Sequence, residues 1–161
     1  MGQSTEGCPD NWNGEASMNI YFSCSLTGGR ADQPIYAAIV DYLLAQGHTV
    51  PTAHLAHPAV MQAEAVIDPA SVYHRDIQWL DECDAVIAEV STPSHGVGYE
   101  IAYALLKGKP VLGCYRAGGR VSKMLTGNDR PNLTMKSYAG EAEAVRLAEG
   151  FLRQVVAANS R

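Results

Sequence analysis

The sequence predicts an α/β fold, a doubly wound five-stranded parallel sheet, and two observations carry that expectation. Short apolar runs alternate with helical patterns five times between Asn19 and Val156. The runs are apolar on consecutive residues, as in Ala85 to Ala88, so both faces of each strand need cover, and parallel neighbours need a helical crossover between them. Five such strands suit the flavodoxin-like (Rossmann-like) order 2-1-3-4-5, in which ligands bind outside the carboxyl ends of the strands near the switch point. The loops after strands one, three and four then flank the site.

Taken in order, Asn19 to Ser23 reads as the first strand, and Asp32 to Ala45 contains a helix. His48 to Thr52 is the second strand, followed by a helix from about Ser71 to Glu82, where Tyr73, Asp76, Ile77 and Leu80 share one face at i, i+3, i+4 and i+7. Ala85 to Val90 is the third strand, Val97 to Leu106 a helix and Pro110 to Tyr115 the fourth strand. A weaker strand at Leu133 to Lys136 and a helix from Glu141 to Val156 complete the series. Met1 to Ser17 is polar, without periodicity, and is expected to be a disordered leader to a single domain spanning residues 18–158.

Composition narrows the function classes. A chain of 161 residues suffices for one core without a disulfide or metal staple. No apolar run reaches the roughly 18 residues that would span a bilayer, so no membrane partner is expected. The net charge of −5 has the wrong sign for neutralising a nucleic-acid backbone, which argues against a nucleic-acid polymer. Cys8, Cys24, Cys83 and Cys114 stand apart, with no C-x-x-C pair and no Cys/His cluster at metal spacing. They read as reduced thiols. With no basic region leading an apolar stretch and with Glu6 where a myristoylation motif has Ser or Thr, the expected location is cytoplasmic, or nuclear as well.

Three stretches could carry chemistry. Ser25-Leu26-Thr27-Gly28-Gly29-Arg30 follows the first strand, and its glycines allow a sharp bend whose N–H groups face an anion or sugar. It is neither G-x-G-x-x-G nor a P-loop, and a plain strand-to-helix turn with Arg30 exposed reads equally well. Asp76 lies in an apolar stripe flanked by Val72 and Trp79, so its carboxylate is expected to be partly desolvated. Either it serves function, or it pairs with Arg75 or His74 or caps a neighbouring element. Ser91-Thr92-Pro93-Ser94-His95-Gly96-Val97-Gly98-Tyr99-Glu100 leaves the third strand and enters a helix, where free N–H groups and the positive dipole end form an anion site suited to phosphate. Glu100 is expected in the first turn of that helix, at the crevice mouth or as a surface residue favourable to the dipole. Two carboxylates at one crevice, Asp76 and Glu100, could divide the work of glycosidic-bond cleavage between nucleophile and proton carrier. No G-x-S-x-G elbow, H-E-x-x-H or activated thiolate offers a different chemistry.

The segments Ile20-Tyr21-Phe22, Ser25 to Arg30, His74-Arg75-Asp76 with Trp79-Leu80, Ala88-Glu89-Val90, Pro93 to Glu100 and Gly119 to Met124 resemble, in order, the 2'-deoxynucleoside 5'-phosphate N-hydrolases of the nucleoside 2-deoxyribosyltransferase superfamily. The resemblance implies a homodimeric hydrolase that releases base and 2-deoxyribose 5-phosphate with no cofactor and no metal. It implies Glu100 as the nucleophile that forms a glycosyl-enzyme, Asp76 as its orienting and proton-moving partner, and Tyr21 as its phenolic support. Ser94 and the Gly96 backbone would bind the 5'-phosphate, with Ser122 reaching across from the partner subunit. Ser25, Leu26, Thr27, Gly28, Arg30 and Met124 would line the nucleotide pocket, and His54 would border the base. Thr27 stands where animal members carry Arg, and His95 where they carry a small apolar residue, which leaves base preference open. A nucleoside 2-deoxyribosyltransferase and a non-catalytic nucleotide-binding module are the competing readings. Ser94 and Ser122 favour a phosphorylated substrate, and Tyr21, Asp76 and Glu100 together favour catalysis.

Overall fold

A computed structural model of the protein describes residues 17–160. The expected leader lies outside the described residues except for Ser17, whose hydroxyl donates to the Gly47 carbonyl at 2.7 Å. Four strands, β1 (Ile20–Ser23), β2 (Ala85–Glu89), β3 (Val111–Arg116) and β4 (Leu133–Tyr138), form one parallel sheet in the order β1-β2-β3-β4. Helices α1 (Gln33–Ala45), α2 (Val60–Glu64), α3 (Pro69–Glu82), α4 (His95–Leu106), α5 (Lys123–Thr126) and α6 (Glu141–Asn159), with a 3-10 turn at Ala53–Ala56, make the connections.

The alternation of side chains along each strand sorts the core into two layers. Ile20, Phe22, Ile87, Leu112 and Cys114 face α1 and α6, against Tyr36, Ile39, Leu43, Ala148 and Leu152. Tyr21, Val86, Ala88 and Val111 face α3 and α4, against Leu80, Ile101 and Ala104. The sheet is thus covered on both faces, as the consecutive apolar runs require.

Among the described residues the expected second strand does not form, which leaves four. His48 to Thr52 makes a single parallel bridge, Asn19 to Thr49, along the edge of β1 away from β2. Thr49 N–H donates to Met18 O at 2.9 Å and Ile20 N–H to Thr49 O at 2.8 Å. The next donor that a continuing ladder would need is the amide of residue 51, and Pro51 has none. The Phe22 N–H instead finds the Thr52 hydroxyl at 2.9 Å. The five-strand order is therefore corrected to a four-stranded sheet with one flanking bridge.

Two helices also start earlier than expected. Asp68 begins α3 by accepting the Ser71 N–H at 3.1 Å, with Pro69 in the first turn. Ser94 begins α4 by accepting the Val97 N–H at 3.4 Å. Because α4 starts at His95, Glu100 lies in its second turn, not its first.

Candidate active site

The Glu100 carboxyl rests on β1. Tyr21 and Ser23, two residues apart on one strand, point to the same sheet face. The Tyr21 phenol donates to Glu100 Oε1 at 3.0 Å, and the Ser23 hydroxyl donates to Oε2. Burial raises the Glu100 pKa to about 7 against the lowering effect of these two donors, and the nearby Asp76 charge raises it further. Tyr21 is wholly buried, and burial, together with Glu100, pushes its phenol far above its ordinary value, so it acts as a fixed donor.

Asp76 enters the same space from α3. Its Oδ1 accepts Arg75 Nε at 2.9 Å, and the Arg75 guanidinium reaches Glu64 Oε1 and Oε2 at 3.2 and 3.3 Å. Glu64 Oε1 in turn meets His54 Nε2 at 3.0 Å. Arg75 also covers the Trp79 ring, 4.8 Å from its centroid. Desolvation raises the Asp76 pKa although Arg75 pulls it down. Burial opposes ionisation of Glu64, yet its bonds to Arg75 and His54 hold it below the usual carboxylate range. Asp76 is therefore partly desolvated, as expected, and of the partners the sequence offered it pairs with Arg75.

Glu100 and Asp76 line a cleft of about 310 Å³ with Leu26, Thr27, Ser94 and Gly96. The first turn of α4 forms its edge, where amides lack intrahelical partners. The Ser94 oxygen caps the helix, which leaves its proton available to an anion. A larger cleft of about 750 Å³ adjoins along Thr27, Ser94 and Val97, and Gly28, His95, Arg120, Ser122 and Met124 line it.

The structure thus gathers Glu100, Asp76, Leu26, Thr27, Ser94 and Gly96 around one cleft with Tyr21 beneath, and it places Gly28, Ser122 and Met124 in the adjoining one. Ser25 and Arg30 line neither. Ser25 is wholly buried, and Arg30 donates to Ser25 O and His57 O at 3.4 and 2.9 Å while covering Tyr36, so both brace the turn after β1. His54 stands behind Glu64 and against Trp79. Ser23, Arg75 and Glu64 were not among the expected site residues. Ser23 had a readable signal in its two-residue offset from Tyr21, whereas Glu64 had none. Cys24, Cys83 and Cys114 are free and buried; Cys8 lies outside the described residues. Among the described residues no group of three or more His, Cys, Asp or Glu is placed to hold a metal ion, and no helix is long and apolar enough to cross a membrane.

Comparison with known proteins places this geometry in a family. The family model for nucleoside 2-deoxyribosyltransferase matches residues 20–140. A protein of Methanococcoides burtonii named as a 2'-deoxynucleoside 5'-phosphate N-hydrolase is 37% identical over 121 residues, 75% of this chain and 99% of its own. The 5-hydroxymethyl-dUMP N-hydrolase of Rattus norvegicus is 38% identical over 154 residues, 91% of this chain and 94% of its own. The CMP N-glycosidase of Clostridium botulinum shares the fold, with a TM-score of 0.63 at 19% identity, covering 82% of this chain and 98% of that one. With a family model spanning both carboxylates and their supports, and relatives aligned along nearly their full lengths, the chain belongs to the nucleoside 2-deoxyribosyltransferase family.

Proposed function

We propose that the protein is an N-glycosyl hydrolase that cleaves 2'-deoxynucleoside 5'-monophosphates to free base and 2-deoxyribose 5-phosphate. The observation that carries this reading is the Glu100 carboxyl, pinned by Tyr21 and Ser23 in a cleft that also holds Asp76 and the capped end of α4. A buried carboxylate with a free face toward a sugar-sized cleft is equipped for attack at C1'.

In the first step a Glu100 oxygen bonds to C1' as the C1'–N bond breaks, and the electron pair leaves with the base. Asp76, its pKa raised by desolvation, carries a proton to the departing base. In the second step water attacks C1', its proton returns through Asp76, and the ester bond to Glu100 breaks, so that one water is consumed per base released. The 5'-phosphate binds at the first turn of α4 through Ser94 and the Gly96 amide. Leu26 and Thr27 border the nucleotide. Ser122 lines the adjoining cleft and not the Glu100 cleft of its own chain, and in this reading it reaches the phosphate held by a second copy in a homodimer. No resident cofactor or metal takes part in these steps.

The test is chromatographic. Each 2'-deoxynucleoside monophosphate, its ribonucleotide and its unphosphorylated nucleoside is incubated with the protein, with and without a second free base. Base and 2-deoxyribose 5-phosphate arising from the phosphorylated deoxy substrates alone is the expected outcome. Base exchange on unphosphorylated nucleosides would instead make the protein a transferase and remove the phosphate site.

A further inference from the structure

We infer that Ser23 is a positioning residue for Glu100: its hydroxyl fixes the second oxygen of the carboxyl and supports the negative charge that attack on the sugar requires. The inference deepens the reading of Glu100 as nucleophile and rests on it.

Ser23 is wholly buried at the carboxyl end of β1, and its proton goes to Glu100 Oε2. A buried hydroxyl needs a partner, but the choice of partner is informative. A single donor such as Tyr21 would leave the terminal carboxyl torsion, which is intrinsically broad, free to turn. Two donors from one strand, each on a different oxygen, fix the carboxyl plane relative to the sheet. The remaining lone pairs then present a constant face to C1', which is the orientation effect that catalysis rewards.

The groups that face Glu100 are Tyr21 and Ser23 on β1, Cys24 just after it and Asp76 on α3, with Arg75 behind Asp76 and committed to it and to Glu64. Among the described residues no cation bonds Glu100 directly, burial disfavours its charged form, and the Asp76 carboxylate disfavours it further. The ionised nucleophile therefore depends on two neutral O–H donors, of which Ser23 is one. Removing that donor leaves a desolvated carboxylate oxygen unpaired, a larger loss than that of an ordinary hydrogen bond.

The experiment compares Ser23→Ala with Ser23→Cys, which keeps the shape and a weaker donor. In protein labelled at the glutamate carboxyl carbon, the Glu100 signal is identified as the one missing from Glu100→Gln and is followed by NMR against pH. This readout does not require turnover. Ser23→Ala is expected to move the Glu100 midpoint upward by roughly one to two pH units, and Ser23→Cys is expected to fall between. In steady-state assays on the substrate found by chromatography, kcat of Ser23→Ala is expected to fall roughly ten- to a hundredfold with KM nearly unchanged, and the acid limb to move with the NMR midpoint. Should Ser23→Ala not fold, the smaller shift in Ser23→Cys carries the measurement. An unmoved Glu100 midpoint in a folded variant overturns the inference whether or not the wild type turns over nucleotides. A wild type inert toward nucleotides defeats the proposed function alone, because the titration still decides what Ser23 does for Glu100.

Discussion

Replacing Glu100 by glutamine should abolish turnover and, above neutral pH, make the protein more stable. In the folded chain burial raises the Glu100 pKa from 4.5 to about 7, whereas in the unfolded chain it stays near its ordinary value. Below pH 4.5 the group is protonated in both states and exerts no differential effect. As pH rises from there to about 7, the unfolded chain loses the proton and the folded chain retains it, so stability falls with pH across that window. At roughly 1.4 kcal/mol per pKa unit, the whole rise corresponds to about 3 kcal/mol. The cleft hydrates part of this carboxyl, so about 2 kcal/mol is the expected penalty. Glutamine carries no charge and can still accept the Tyr21 proton, so Glu100→Gln escapes the penalty. Urea denaturation should show the variant equal to wild type near pH 4 and about 2 kcal/mol more stable at pH 8.5, a Tm difference of about 4–8 °C for a domain of this size. The same variant should lose at least roughly a thousandfold in kcat, while wild-type kcat/KM should rise with pH through about 7 as Glu100 ionises. A stability difference that does not change with pH, or one that favours the wild type at pH 8.5, would refute the claim that this carboxyl is held against its own charge.

Two further outcomes follow from the loops and from α3. A Cβ on Gly28 would sit 2.5 Å from the Pro93 carbonyl oxygen and 2.7 Å from Ser25 Oγ, so Gly28→Ala should destabilise the protein by about 1–3 kcal/mol and raise KM severalfold by displacing the Pro93–Ser94 turn; Gly113→Ala, whose Cβ would meet only the flexible Met135 thioether, should cost less in parallel denaturation curves. Arg75→Met removes the cation that pulls the Asp76 pKa down, so the Asp76 midpoint should rise in a carboxyl-carbon titration, and kcat should fall about tenfold.

The fold class was readable because strands covered on both faces write consecutive apolar runs, and β1 and β2 do so. The second strand was misread because composition cannot weigh one missing amide: Val50 and Thr52 suit a strand, but Pro51 ends the ladder. The sequence places the start of α4 two residues late, at Val97, because Gly96 is a poor helix former, while the cap at Ser94 needs only one side-chain oxygen and one amide. The extra length of β4 comes from pairing, Tyr115 with Ser137 and Arg116 with Tyr138, which no local pattern announces. At the site, Asp76 and Glu100 were visible as carboxylates in apolar or helix-terminal settings. Glu64 was not, since its role comes from α2 folding across to α3, a contact 11 residues away in sequence.

The side of the sheet opposite Glu100 explains why the loops that carry the site can be stiff. Glu89, at the end of β2, is wholly buried among α1, β3 and β4. Its Oε1 accepts the Tyr138 phenol at 2.8 Å, the Ser91 N–H at 3.2 Å and the Ser91 hydroxyl. Ser91 Oγ accepts the Arg116 N–H at 2.7 Å, the Arg116 side chain pairs with buried Asp32, and Asp32 accepts the Thr92 hydroxyl at 3.3 Å. The segments following β1 and β2 and the end of β3 are thereby tied to one another behind the cleft, and Gly28 lets the first lie directly on the Pro93 carbonyl. Burial raises the Glu89 pKa, so this carboxyl also resists ionisation, yet it faces away from the substrate cleft and serves the backbone that presents Ser94. The two faces of the sheet thus hold two glutamates in different settings: Glu100, carried by α4, meets Tyr21 and Ser23 on the cleft face, and Glu89, carried by β2, ties the loops together on the α1 face.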